Sequence, residues 1–155
     1  MALFGNCALP TGLKHGTVTV CSGMNRVETT TFRTDGAYAD HRHPEQVTFT
    51  DSLQEDLSRR DFTVNAMAME LAGRLHDPFH GREDLKNGVL RCVGEPEKRF
   101  SEDALRILRC LRFAAVLDFT VERETAAAME NCRELLREIA PERVREELTK
   151  LLCGP

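Results

Sequence analysis

Between His15 and Arg33 the chain alternates Val with Thr, in Thr17-Val18-Thr19-Val20 and again in Val27-Glu28-Thr29-Thr30-Thr31-Phe32, with the turn-forming string Ser22-Gly23-Met24-Asn25 between them. A period of two in β-branched residues predicts a β-hairpin. The stretch from Thr34 to Pro44 is polar, holds Gly36 and the run His41-Arg42-His43, has no period, and reads as a mobile loop. Ser52 with Glu55 three residues on forms a capping-box pattern that opens a first helix. Thr63 predicts the start of a second, running through Met69.

Leu75 to Phe79 reads as a short extended element, Gly81 as a turn and Val89 to Val93 as a returning strand. From Ser101 the pattern becomes helical. Ser101 suits an N-cap, Glu102 and Asp103 suit the positive end of the helix dipole, and Ala104, Leu108, Leu111 and Ala115 trace one apolar face. Further helices are expected from Glu122 to Ile139 and from Pro141 to Leu152, with Pro141 in a first turn. Strands come first and helices last, so the expected class is α+β.

Composition narrows this picture. With 155 residues the chain can bury one core, or a small domain plus part of another. A hydrophobic share of 41% against 30% charged residues excludes the profile of a disordered chain. No apolar run approaches the roughly 18 residues that cross a bilayer, and the N-terminus lacks a basic region followed by an apolar one, so the expectation is a cytoplasmic protein with no membrane partner. The six cysteines show no Cys-x-x-Cys spacing, which argues against a zinc site or a dense disulfide framework. The net charge of −4 gives no overall attraction to nucleic acid, so any phosphate contact must come from a local cluster.

Asp103 and Arg106 form the first candidate constellation. Residues three apart on a helix project from one face, where an acceptor and a donor can meet one flat ligand edge. Cytosine and adenine both present an amino donor beside a ring-nitrogen acceptor, and uracil and guanine present the reverse. One Asp–Arg pair can therefore accept C and A and reject U and G. The ordinary alternative is an exposed ion pair contributing about 0.2–0.5 kcal/mol.

Four strings stand in order along the chain: Arg59-Arg60-Asp61-Phe62-Thr63-Val64-Asn65-Ala66, Asp77-Pro78-Phe79-His80-Gly81-Arg82-Glu83-Asp84-Leu85, Arg99-Phe100-Ser101-Glu102-Asp103-Ala104-Leu105-Arg106, and Pro141-Glu142-Arg143-Val144-Arg145-Glu146-Glu147-Leu148. They resemble, in turn, the ribose-binding motif, the Asp-Pro-Phe-Gly-Gly segment with His80 in place of a Gly, the nucleotide-selecting Glu-Asp-x-x-Arg motif and the last neck motif of class II tRNA nucleotidyltransferases. That family comprises the CCA-adding enzymes and the bacterial poly(A) polymerases. The resemblance covers nearly the whole chain.

It implies the remainder of a nucleotidyltransferase head at residues 1–92, with mixed and antiparallel strands, and an incomplete helical neck at 93–155. It further implies addition of C and A to the 3′ end of tRNA or another RNA from CTP and ATP, with Mg2+. Arg60 would lend charge near a triphosphate, Asp61 and Asn65 would meet sugar hydroxyls, and Asp103 with Arg106 would read the base. The family's two metal-binding aspartates come from an Asp-x-Asp strand beside a Gly-Ser turn, and neither string occurs in this sequence. Glu28 matches a third family carboxylate close to the metals, and otherwise reads as a strand glutamate paired across the hairpin.

These gaps lead to the expectation of an N-terminally truncated, inactive fragment whose exposed sheet edge favours self-association. The competing class is a noncatalytic module that binds RNA or a protein partner. Arg106, Arg109 and Arg112 recur every third residue after Lys98 and Arg99, a stripe that either faces RNA phosphates or lies on a solvated face balanced by Glu102 and Asp103. His41, His43 and His76-Asp77 suggest a His-Asp metal-dependent phosphohydrolase, but its ligands belong on helices, and the residue before Pro78 is poorly suited to one.

Overall fold

The computed structural model describes residues 4–13, 16–36 and 47–154. The hairpin forms as the alternation requires: β2 (Thr17–Ser22) and β3 (Asn25–Thr30) pair antiparallel from Thr17 opposite Thr30 to Ser22 opposite Asn25. Gly23 takes a positive φ of 59° in the two-residue turn, which a side chain would resist. An unexpected strand, β1 (Ala8–Gly12), adds to the other side of β2. Thr34 and Asp35, expected in a loop, belong instead to β4 (Arg33–Asp35), antiparallel to β5 (Val47–Phe49). His41 and His43 lie outside the described residues.

Ser52 caps α1 (Leu53–Ser58) by accepting from the Glu55 amide at 3.3 Å, while the Glu55 carboxylate takes the Thr50 hydroxyl at 2.6 Å. The expected helix at Thr63 does not form. Thr63–Asn65 is a single 3-10 turn, followed by the short β6 (Ala68–Met69) paired with β7 (Leu75–His76). Tertiary partners override the local pattern here: the Thr63 hydroxyl donates to the buried Asp84 at 2.7 Å instead of capping a helix. Asp84 belongs to α2 (Gly81–Asn87), a helix where the sequence predicts only a turn at Gly81. Its start is tied down by Asp77, whose two carboxylate oxygens accept from the Gly81 and Arg82 amides at 2.7 and 3.0 Å.

The helical part also differs from expectation. α3 (Pro96–Glu102) ends at Asp103, and α4 (Leu105–Leu117) starts anew. Ser101 therefore sits in the last turn of α3, its hydroxyl donating to the Lys98 carbonyl, and caps nothing. α4 buries Leu105, Ile107 and Cys110, whereas Leu111 is 44% exposed and Ala115 is exposed. The apolar face is rotated because α4 is wedged between two clusters. One side meets Phe62, Leu90, Cys92, Phe100 and Ala128, and the other meets Ile139, Leu135 and Val144. Glu122 caps α5 (Arg123–Cys132), a 3-10 segment follows at Arg133–Glu138, and α6 (Pro141–Cys153) carries Pro141 in its first turn.

The short parallel pair β8 (Val89–Leu90) and β9 (Thr120–Val121) links the strand-rich half to the helices. Phe62 bridges to Cys92, the Thr63 amide donates to the Arg91 carbonyl, and the Val93 amide donates to the Asp61 carbonyl, each of the two bonds at 3.0 Å. The Arg60–Asn65 segment is thereby pinned along the central core. Burial in this core pushes the Cys92 and Cys110 thiols up to about 12. The architecture is α+β, and its largest apolar cluster joins residues from both sides of position 92.

Candidate nucleotide-binding cleft

Asp56, on α1 and buried, anchors Arg59 and Arg60. Its Oδ1 accepts from Arg59 Nη2 at 2.6 Å, Arg59 Nε at 3.1 Å and the Arg33 amide at 3.3 Å, and its Oδ2 accepts from Arg60 Nη2 at 3.2 Å. Burial alone would raise its pKa, but the Arg59 hydrogen bonds and charge, with the Arg33 amide and Arg60, hold it below the usual carboxylate range. Arg60 also donates to the Asn65 carbonyl at 3.2 Å, so it braces the turn that presents Asn65.

Asp61 stands at the centre. Its Oδ1 accepts from its neighbour's amide, Phe62 N, at 3.0 Å and from Asn65 Nδ2 at 3.3 Å. Its Oδ2 accepts from Arg109 Nε at 2.8 Å, with Arg109 Nη2 at 2.7 Å.

Asp103 and Arg106 do not form the helical i,i+3 pair that their spacing suggests. Asp103 has extended backbone (φ −147°, ψ 101°) at the break between α3 and α4, where its Oδ1 accepts from the Leu105 amide at 3.1 Å. The break persists because Arg143, from α6, grips the same carboxylate at 2.9 and 3.3 Å. Arg106 reaches backwards. It donates to the Arg99 carbonyl at 2.9 Å, to Glu102 at 2.8 Å and to the Arg59 carbonyl at 3.2 Å.

The five side chains that the family resemblance assigns to a nucleotide nevertheless converge. Arg60, Asp61, Asn65, Asp103 and Arg106 line one cleft of about 530 Å3, together with Arg59, Leu105, Arg109 and Arg143. Five arginines against two aspartates make it suited to an anionic ligand that also carries hydrogen-bond donors. Arg109 and Arg143 join them in the lining without being singled out by the sequence pattern. In the sequence Arg109 stands out only as a member of the basic stripe, and Arg143 only within the last motif.

The stripe itself is not a free phosphate-binding row. Arg106 meets Glu102, Arg109 meets Asp61, and Arg112 meets Glu147 at 2.6 Å. Burial would raise the pKa of Glu147, but Arg112 and Lys150 hold it below the usual range.

Glu28 stands apart, exposed on β3 opposite Thr19, and does not line the cleft. A magnesium ion needs several oxygen ligands in near-octahedral array. Among the described residues no group of three or more His, Cys, Asp or Glu side chains is disposed to hold a metal, so Glu28 alone does not supply one and no step is assigned to it. The phosphohydrolase reading loses its support here too. His76 pairs with Glu70, and the Asp77 carboxylate is engaged by two backbone amides of α2.

Residues 3–91 match the family described as the poly A polymerase head domain, and residues 118–155 the family described as the probable RNA and SrmB-binding site of polymerase A. The chain therefore belongs to the poly(A) polymerase and tRNA nucleotidyltransferase family. It is 53% identical over 148 residues to the CCA-adding enzyme of Lactobacillus helveticus, and 52% identical over 153 residues to that of Leuconostoc mesenteroides subsp. mesenteroides. Those alignments take in 96% and 99% of this chain but only 37% and 38% of the relatives, so the chain spans little more than a third of their length.

Among solved structures, it superposes on the Bacillus stearothermophilus CCA-adding enzyme in complex with CTP with a TM-score of 0.90 and 46% identity, over 100% of this chain and 37% of that one. It also matches a tRNA nucleotidyltransferase complexed with a primer tRNA and an incoming ATP analog, with a TM-score of 0.71 and 34% identity, over 92% of this chain and 39% of the other. No described helix is long and apolar enough to cross a membrane.

Proposed function

We propose that this chain carries the nucleotide-selecting cleft of a cytoplasmic tRNA nucleotidyltransferase that extends RNA 3′ ends with C and A from CTP and ATP. The observation that carries the reading is the convergence, in one arginine-lined cleft, of two separately braced carboxylates, Asp61 and Asp103. Asp103 is the acceptor for an exocyclic amino group, and Arg106 the donor towards a ring nitrogen. Asp61 and Asn65 meet the sugar, and Arg60 faces the phosphates. Residues 1–92 serve as head and 93–155 as neck. This is a division of labour rather than of cores, because one apolar cluster includes Phe62, Leu90 and Cys92 together with Phe100, Ile107 and Cys110. Magnesium enters this reading only as the metal that nucleotidyl transfer in the family implies, with Glu28 the one carboxylate carried over towards it.

Calorimetric titration of the 155-residue chain with each of the four ribonucleoside triphosphates tests the proposal. CTP and ATP are expected to bind and UTP and GTP to bind at least about tenfold more weakly, the scale of one hydrogen bond to a charged group. Asp103→Ala, checked for folding by circular dichroism, is expected to erase that difference. Equal signals for all four nucleotides, unchanged by the substitution, would instead favour a noncatalytic module that binds RNA or another partner.

A further inference from the structure

Among the described residues the three-stranded sheet ends in two unlike edges. β1 carries Pro10, which has no N–H to offer, and its register on β2 slips between Leu9 and Gly12. Both features blunt an edge against further pairing. β3 has neither. Its six residues run in unbroken register on β2, and all of them are exposed.

The turn decides which main-chain groups of β3 lie open. Gly23 and Met24 make a two-residue turn with positive φ at Gly23, so the flanking pair Ser22 and Asn25 exchanges both main-chain hydrogen bonds. Alternation directs the groups of Val27 and Thr29 towards β2 as well, and the Thr31 amide keeps that parity by donating to the Gly16 carbonyl at 3.0 Å. The N–H and C=O groups of Arg26 and Glu28 therefore point outward. Their side chains, two residues apart, share one face of the sheet, and among the described residues neither has a hydrogen-bond or ion-pair partner.

A second copy of β3 fits this edge in one register. Two-fold symmetry in an antiparallel pair sets one residue opposite its own counterpart. Centred on Arg26 the pair opposes two arginines, and centred on Glu28 two glutamates, both unfavourable. Centred on Val27 it sets Arg26 of each copy opposite Glu28 of the other, and brings the two exposed Val27 side chains together on the other face. The same register makes Arg26 and Glu28 the hydrogen-bonded pairs, as their outward main-chain groups require.

We propose that β3 is a homodimerisation edge: two copies of this chain pair antiparallel about Val27 and continue the sheet across the two-fold axis, with reciprocal Arg26 to Glu28 ion pairs fixing the register. A strand edge is a small interface, so the dimer is weak and forms as concentration rises. No residue of β3 lines the nucleotide cleft, so this inference and the nucleotide reading stand or fall separately.

Sedimentation velocity of the 155-residue chain over a wide range of concentration is the test. The wild-type chain is expected to pass reversibly from monomer to dimer. Arg26→Glu opposes like charges at both positions, as does Glu28→Arg, and each should raise the dimer dissociation constant at least about tenfold. An equimolar mixture of the two variants restores opposite charges at both positions. Its heterodimer should form with a dissociation constant within about threefold of the wild-type value.

A wild-type chain that stays monomeric at every concentration, or that grows past the dimer, overturns the proposal. Association unchanged in either single variant also overturns it, because the contact would then lie elsewhere. Loss that mixing does not repair rules out the register and the proposal with it. Should a single variant not fold by circular dichroism, the double variant Arg26→Glu with Glu28→Arg takes its place. Exchanging both charges restores each pair, so it should dimerise as the wild type does, and a folded double variant that remains monomeric overturns the assignment.

Discussion

Gly81 allows the sharpest quantitative test of how the cleft is supported. A Cβ at this position would lie 2.1 Å from the Thr63 carbonyl oxygen, 2.7 Å from its carbonyl carbon and 3.1 Å from Met67 Cγ. Carbon and oxygen settle no closer than about 3.2 Å, so Gly81→Ala demands a separation of roughly 1 Å between two backbone segments. Neither is free to move. The Thr63 carbonyl accepts from the Ala66 amide at 3.0 Å and closes the turn that presents Asn65, while the Gly81 amide is bound to Asp77 at 2.7 Å.

Overpacking of this kind costs about 1–3 kcal/mol, and loss of one of those hydrogen bonds adds about 1 kcal/mol. The less flexible unfolded chain of the alanine variant returns about 0.4–1 kcal/mol. The net expectation is a destabilisation of about 2–3 kcal/mol, which for a chain of this size lowers the melting temperature by roughly 4–12 °C. Thermal unfolding followed by far-ultraviolet circular dichroism, with urea unfolding as an independent measure, reads this directly. A melting temperature within about 1 °C of the wild type would refute the close approach of α2 to the Thr63 turn, and with it the account of why the expected second helix is absent.

Two further outcomes are expected. Asp56, Glu122 and Glu147 are all held below the usual carboxylate range in the fold. Their stabilisation is therefore complete above the unfolded values of about 4 and is lost as pH falls through the lower folded ones. The melting temperature should drop steeply below about pH 4, less so in Glu147→Gln, and an unchanged value at pH 3 would contradict these pairings. Among the described residues the three-stranded sheet leaves β1 and β3 as edges, with Leu9 and Val27 exposed on them. Concentration-dependent association is expected in sedimentation velocity and should weaken in Val27→Lys, whereas a clean monomer at every concentration would argue against it.

The elements legible in the sequence are those specified by neighbours. The β2–β3 hairpin follows from Val/Thr alternation around Gly23, the start of α1 from Ser52 and Glu55, and the first turn of α6 from Pro141. Two of the four ordered motifs, at 59–66 and 99–106, likewise carry five side chains that share one cleft. Elsewhere the local signal was sound but outweighed. Thr63 is a reasonable helix start until Asp84 takes its hydroxyl, and Ser101 a reasonable cap until Arg143, forty residues along the chain from Asp103, holds the helix broken two residues later.

The roles of Arg109 and Arg143 were hidden for the same reason. A periodic stripe shows that arginines share a helix face but not which carboxylates come to meet them. Sequence by itself determined residue chemistry and short-range geometry, because caps, turns and alternation act within a few residues. Only the tertiary structure decided where α3 ends, which face α4 buries and which arginine restrains which aspartate. Those outcomes depend on contacts between segments some forty residues apart, and such contacts leave no mark on local pattern.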